Sequence, residues 1–355
     1  MYGEDITRDQ IAEAYLQAHP ALVSCASTLE ALLTTLCRDR KVKVHAIEAR
    51  AKDPLSLQDK LQRHPNYERL SDVEDMCGVR IVTFYQEDVG RISDLLDDEF
   101  EILKKESRQA ESPDAFGYRS LHLIGRFDAR RRGLPEYAAY AEFPVEFQVR
   151  TVLQHAWGVI SHSLDYKNEA ETPPEVRRKL FRLAALMETG DELFGSYRAE
   201  VESLRDRYSE QEKRGDWTQL PVDLDSVMTS WKRLPIDDVV AVATRAGFQE
   251  MDNTSHEESH RWSMGMLVSL TRLAGVETLG ELAAVMSRID RYEPRLAELA
   301  RISKEHGFVP FANAFDLTAF AMILEHPELR VKLATTFHPA IEAGLDAALQ
   351  SGGAP

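Results

Sequence analysis

Gly117-Tyr118-Arg119-Ser120-Leu121-His122-Leu123 and Pro144-Val145-Glu146-Phe147-Gln148-Val149-Arg150-Thr151 are two segments in which polar and apolar residues alternate. Side chains alternate across an extended strand, so Tyr118, Ser120 and His122 share one face while Leu121 and Leu123 take the other. By the same period Glu146, Gln148 and Arg150 oppose Val145, Phe147 and Val149. A phenol, an imidazole, a carboxylate, an amide and a guanidinium on one sheet face suit a flat, charged ligand. The plainer alternative is a half-exposed sheet whose polar residues are merely solvated.

Further strand-like runs lie at 42–49, 79–85 and 100–104, with a helical signal at 87–100. Residues 5–38 have helical periodicity, carried by Ile11, Ala14, Tyr15, Leu22 and Leu29. From Thr151 onward the pattern is helical, first over 152–166 and then over a long charged stretch, 174–213. The stretch 214–221, with Gly215 and Pro221, reads as a linker. Beyond it, 222–349 is a run of helices whose apolar positions suffice for a small bundle. The expected fold class is α+β: a mixed sheet flanked by helices, followed by an all-α C-terminal domain. The expected division is a helical segment 1–40, a sheet domain with trailing helices 41–213, the linker, and an accessory domain 222–349.

The chain has 355 residues, 43% hydrophobic and 29% charged, which fits a soluble protein with room for two cores. No apolar run marks a signal peptide or a bilayer span, so a cytoplasmic protein without membrane contact is expected. The three cysteines, Cys25, Cys37 and Cys77, read as buried reduced thiols. A net charge of −16 argues against broad nucleic-acid binding, leaving only a local basic patch around Arg126, Arg130, Arg131 and Arg132.

Two more segments add chemistry to the polar strands. In Arg50-Ala51-Lys52-Asp53-Pro54, Arg50 and Lys52 share a strand face, and Asp53 followed by Pro54 reads as an N-cap and first helical residue. Ser56 and Lys60 then fall one above the other on the helix. Cations, a hydroxyl and a helix N-terminus around one point fit a polyphosphate, although a solvated basic turn has the same composition. Asp75 precedes the strand containing Gly78 and Arg80. With Glu146 it makes the pair of carboxylates that suffices for Mg²⁺ on a phosphate substrate; alone, it would as readily cap a turn.

Taken together, Arg50-x-Lys52-x-x-x-Ser56-x-x-x-Lys60, Asp75-x-x-Gly78-x-Arg80, Gly117-Tyr118-x-Ser120-x-His122, Val145-Glu146-x-Gln148-x-Arg150-Thr151 and Trp157…His162…Tyr166-Lys167 resemble the RelA/SpoT synthetase domain. The resemblance runs in order over 42–167. It implies a nucleotidyltransferase-like fold and transfer of pyrophosphate from ATP to the 3′-hydroxyl of GDP or GTP, making (p)ppGpp. It further implies that Arg50 and Arg80 sandwich the adenine and that Lys52, Ser56 and Lys60 hold the triphosphate. Asp75 and Glu146 would bind Mg²⁺, with Glu146 also taking the proton of the attacking hydroxyl. Tyr118 would stack on the acceptor base, while Ser120, His122, Gln148 and Arg150 complete the acceptor side.

Departures from the pattern bear on the acceptor. Many such synthetases carry a Lys shortly before the Gly-Tyr, whereas here 110–116 is acidic and has none. Small toxic relatives place pyrophosphate on the 3′ end of tRNA, so tRNA is the runner-up acceptor. A nucleotide-binding module without activity is the third reading. No His-Asp pair occurs, and the about 40 residues before the match are too few for a hydrolase domain. His256-Glu257-Glu258-Ser259-His260 satisfies the H-E-x-x-H pattern, but an Asn253-Thr254-Ser255 cap makes it read as a solvated helix start. The C-terminal helices are expected to regulate, to bind a partner or to mediate self-association, and the sequence does not choose among these.

Overall fold

The computed structural model describes residues 8–63, 67–108, 120–163, 173–250, 257–333 and 337–351. It divides into two compact units, residues 1–199 and 200–355. The first unit holds α1 (Arg8–Asp39), β1 (Val44–Ala51), α2 (Pro54–Arg63), β2 (Cys77–Thr83), α3 (Gln86–Glu99), β3 (Phe100–Arg108) and β4 (Ser120–Phe127). It continues through the one-turn α4 (Ala129–Arg132), β5 (Val145–Thr151), α5 (Val152–Ser163) and the first part of α6 (Pro174–Arg214).

The strands form one five-stranded sheet in the order β1-β2-β5-β4-β3. The β2–β5 junction is parallel and the other three are antiparallel. Residues that alternate in sequence therefore line up in rows across the sheet. One row is Arg50, Gly78, Glu146, Ile124 and Lys104; the next is Glu48, Arg80, Gln148, His122 and Glu106. The opposite face is the core. Val79, Ile81, Leu123, Phe147 and Val149 are buried there against Tyr15, Leu22, Leu29 and Leu33 of α1 and Ile92 and Leu96 of α3. One face is thus covered by helices and the other carries polar side chains, the arrangement that the alternation predicts.

Local signals set the ends of the elements around this polar face. Asp53 Oδ1 accepts from the Ser56 backbone N–H at 3.0 Å, capping α2 as expected. Thr151 and Gln154 form a reciprocal cap at the start of α5: Thr151 Oγ1 accepts from the Gln154 amide at 3.1 Å, and Gln154 Oε1 accepts from the Thr151 amide at 2.8 Å.

Three sequence expectations are corrected. Helix α1 belongs to the sheet domain, because its apolar stripe is part of the sheet's core. It also contains an 18-residue window of mean hydropathy 1.4, enough by length and composition to cross a bilayer, yet the stripe Ile11, Tyr15, Leu22, Cys25, Leu29 and Leu33 is buried. The third concerns the boundary, which falls inside α6 after Ala199. The segment read as a linker is part of the second unit: Leu220 is buried in its core, and Val222 donates its amide to the Glu277 carbonyl at 2.9 Å.

In the second unit α7 (Leu224–Ser230), α8 (Ile236–Arg245), α9 (Glu257–Ala274), α10 (Leu279–Met286), α11 (Glu293–Glu305), α12 (Ala314–Glu325), α13 (Glu328–Lys332) and α14 (Pro339–Ser351) surround one core. Strand pairing here is limited, among the described residues, to a short parallel contact of Gln249–Glu250 with Phe311–Ala312 and an isolated antiparallel bridge between Pro221 and Thr278. Helix α12 is the centre, with every residue from Ala314 to Leu324 buried. His256 lies outside the described residues. His260, on α9, is partly buried, its Nε2 has no hydrogen-bond partner among the described residues, and it lies near the buried Asp316, so this end of the H-E-x-x-H stretch packs inward.

Candidate active site

Asp75 sits in the turn before β2, between two lysines. Lys52 Nζ donates to its Oδ2 at 2.7 Å and Lys60 Nζ donates to its Oδ1 at 2.7 Å. Lys52 follows the end of β1 and Lys60 lies on α2, so the capped strand-to-helix turn delivers both. Burial acts to raise the Asp75 carboxyl, but the two lysine hydrogen bonds outweigh it and hold the group below the usual carboxylate range. Burial acts to lower Lys60, and its bond to Asp75 outweighs this and raises it.

Glu146 is held equally firmly. Its Oε1 is 2.8 Å from His122 Nδ1, and its Oε2 accepts from Gln148 Nε2 at 3.1 Å. His122 Nε2 in turn lies 2.9 Å from Ser120 Oγ, and Gln148 Oε1 accepts from Arg150 Nη2 at 2.8 Å. Burial again acts to raise this carboxyl, while His122 and Gln148 bring it below its ordinary value; the nearby Asp75 charge opposes them.

Two adjoining grooves open on this face. The larger, about 380 Å³, is lined by Glu48, Arg50, Lys52, Asp75, Gly78, Arg80, Glu146 and Gln148 among others. Its size is that of a small-molecule site. The second is lined by Lys60, Glu74, Asp75, Lys104, Glu106, His122, Ile124 and Glu146. Asp75 and Glu146 thus line both, at the place where the grooves meet. Arg80 donates to Glu48 at 3.4 Å across β1 and β2.

Of the expected site residues, some stand away from the grooves and others lie outside the described residues. Ser56 is exposed on the first turn of α2 and is not among the groove residues. Tyr118, Tyr166 and Lys167 lie outside the described residues. Arg150 extends toward α5, where a Cβ on Gly158 would meet its Nη1 at 3.0 Å. Burial and the charge of Arg80 lower its pKa, and His155 is lowered by burial, Arg80 and Arg150. Arg150 therefore backs the Arg80 end of the sheet and is absent from the lining of the His122-side groove. Arg126, Arg130, Arg131 and Arg132 are paired with Glu101, Glu142, Asp128 and Glu99, so they do not form a free basic patch. Lys104, Glu106, Glu48 and Glu74 are the groove residues that sequence reasoning missed.

The donor set suits one particular kind of metal. Asp75 and Glu146 are two carboxylates that line both grooves, and no group of three or more His, Cys, Asp or Glu residues that could hold a metal ion occurs among the described residues. That fits Mg²⁺ carried on a phosphate ligand, which takes one or two carboxylates and fills its other positions with phosphate oxygens and water. Each of the four carboxylate oxygens accepts one hydrogen bond and keeps a second lone pair that could face a cation.

Residues 49–171 match the family described as a region found in RelA / SpoT proteins, and this part of the chain is a RelA/SpoT-type domain. It is homologous to the small alarmone synthetases of Bacillus subtilis (strain 168). GTP pyrophosphokinase YjbM is 26% identical over 174 residues, 48% of this chain and 79% of that protein. GTP pyrophosphokinase YwaC is 26% identical over 160 residues, 44% of this chain and 74% of that protein. The crystal structure of small alarmone synthetase 1 from Bacillus subtilis covers 54% of this chain and 97% of its own, at 23% identity and a TM-score of 0.45.

Proposed function

We propose that this chain is an ATP-dependent pyrophosphokinase that transfers the β,γ-pyrophosphate of ATP to the 3′-hydroxyl of GDP or GTP, in the cytoplasm. The observation that carries the reading is the meeting of Asp75, Glu146, Lys52 and Lys60 where the two grooves join. The two relatives named as GTP pyrophosphokinases support the reaction type. The buried free cysteines suit a reducing compartment.

In this reading the larger groove takes ATP. The adenine lies between the flat guanidinium groups of Arg50 and Arg80, and Lys52 and Lys60 exchange Asp75 for the triphosphate. The acceptor enters the second groove with its 3′-hydroxyl toward Glu146, and Tyr118 stacks on its base. The 3′-oxygen forms a bond to the β-phosphorus as the bond from that phosphorus to the α,β-bridging oxygen breaks. AMP leaves with the electron pair, and the hydroxyl proton passes to Glu146, which His122 and Gln148 hold in one orientation. Mg²⁺ held by Asp75 and Glu146 would neutralise phosphate charge. Positioning and charge compensation supply most of the rate in such a transfer.

One feature favours the second reading, transfer to the 3′ end of tRNA: Glu74 and Glu106 line the acceptor-side groove, and carboxylates repel a polyphosphate. The test is incubation of the full chain with γ-labelled ATP, Mg²⁺ and either GDP, GTP or tRNA. Labelled (p)ppGpp with stoichiometric AMP is the expected result. Label on tRNA alone would establish the second reading, and no transfer to any of the three would overturn both.

A further inference from the structure

We propose that Lys104 is the residue that receives the 5′-phosphates of the acceptor nucleotide, and that Glu74 and Glu106 compete with those phosphates for it. The inference deepens the transfer reading above and rests on it for the identity of the acceptor.

A register irregularity between Ile102 and Lys104 places Lys104 opposite Ile124 and Glu106 opposite His122. The extra residue, Leu103, is exposed. A bulge of this kind re-aims the side chains that follow it. Lys104 and Glu106 thereby complete the two rows that hold Glu146 and His122, and both line the acceptor-side groove. Lys60, the other cation of that lining, is bonded to Asp75 at the junction and is assigned to the ATP phosphates. Lys104 lies at the opposite end of its row from Arg50, on the far side of Glu146 from the adenine position.

In the structure Lys104 Nζ is 2.8 Å from Glu106 and 3.8 Å from Glu74, and all three side chains are about half exposed, at 47%, 45% and 50%. Ion pairs this open to water contribute little. A diphosphate is a stronger partner for an ammonium than a solvated carboxylate. The acceptor therefore captures Lys104 but must displace two glutamates to do so.

The test measures GDP and ATP kinetics, together with calorimetric GDP binding, on full-length Lys104→Met and on the double variant Glu74→Gln/Glu106→Gln. Expected for Lys104→Met is a rise of about tenfold or more in KM and Kd for GDP, with KM for ATP and kcat within about twofold, and partial recovery in Lys104→Arg. The double variant should bind GDP several-fold more tightly than wild type. Equal GDP affinity in wild type and Lys104→Met would overturn the inference, as would equal rises in KM for both substrates. Wild type that transfers pyrophosphate to another acceptor but binds no GDP would overturn it too, while leaving pyrophosphate transfer standing. If no acceptor is modified, the transfer reading fails, and the calorimetric comparison still decides whether Lys104 holds GDP.

Discussion

Gly78 and Glu146 are register partners across the parallel junction of β2 and β5, so the residue facing the candidate catalytic carboxylate has no side chain. A Cβ built on Gly78 meets nothing within 4 Å, and its backbone is not in the left-handed region. The space it leaves is the floor of the larger groove. Gly78→Val should therefore fold normally while obstructing the nucleotide. The expected result is a melting temperature within a few degrees of wild type and ATP affinity reduced at least about tenfold, read by calorimetry alongside a thermal melt. Unchanged ATP affinity in a folded variant would mean that the nucleotide lies elsewhere.

Glu146→Gln keeps the shape of the side chain and removes its charge. Pyrophosphate transfer should fall by about 10²–10⁴-fold, as for loss of a positioned base. The amide oxygen can still accept from His122, but its NH2 cannot accept from Gln148, so the urea midpoint at pH 7 should fall modestly. Turnover close to wild type would remove Glu146 from the chemistry.

The two site carboxylates also predict a pH dependence of stability. Asp75 and Glu146 both have folded pKa values below their unfolded ones, which are about 3.9 and 4.3. Their stabilising contribution is complete above that range and declines as pH falls through the lower folded values. Urea midpoints recorded from pH 7 to pH 2.5 should therefore drop at the acid end. In Asp75→Asn the drop should be shallower, because one of the two groups no longer titrates.

Thr151 offers a test of the fold away from the grooves. Its Oγ1 donates to Asp191 Oδ2 at 2.7 Å and accepts the Gln154 amide, and all three residues are buried. Thr151→Val removes the α5 cap and a donor to a buried carboxylate together. A loss of about 1–3 kcal/mol in denaturant unfolding is expected. A loss under 0.5 kcal/mol would show that the bond is not made in solution.

In the second unit, a Cβ on Gly344 would stand 2.7 Å from the Leu299 carbonyl oxygen and 3.0 Å from Ser303 Oγ, where α14 packs on α11. Backbone cannot yield as a flexible side chain can. Gly344→Ala should cost about 1–3 kcal/mol in the unfolding of this unit, measured by calorimetry, although alanine is the better helix former.

Much of the sheet was legible from period-2 alternation, since burial of one face forces it. The Asp53–Pro54 cap was equally visible, because capping is a local interaction. What escaped was non-local. Strand β3 was read as ending at Lys104, because the bulge after Ile102 interrupts the alternation that would have carried the reading on to Glu106. Asp88 was unremarkable in sequence, yet it is buried between Arg91 at 3.1 Å and Arg198 at 2.7 Å, a pairing 110 residues apart. The domain boundary was placed at a glycine and a proline, whereas which core a helix joins depends on the residues it meets. Leu204 and Tyr208 meet the second one.

That last point bears on how shortened forms of this protein should be cut. A fragment stopped at the obvious punctuation near Gly215 would retain Leu204 and Tyr208 without the Leu220, Val227 and Leu267 that shelter them. Its trailing helix would then offer a greasy surface for self-association. A stop codon just after Ala199 spares the catalytic candidate that handicap, and the remainder should be expressed from Glu200 rather than from Val222.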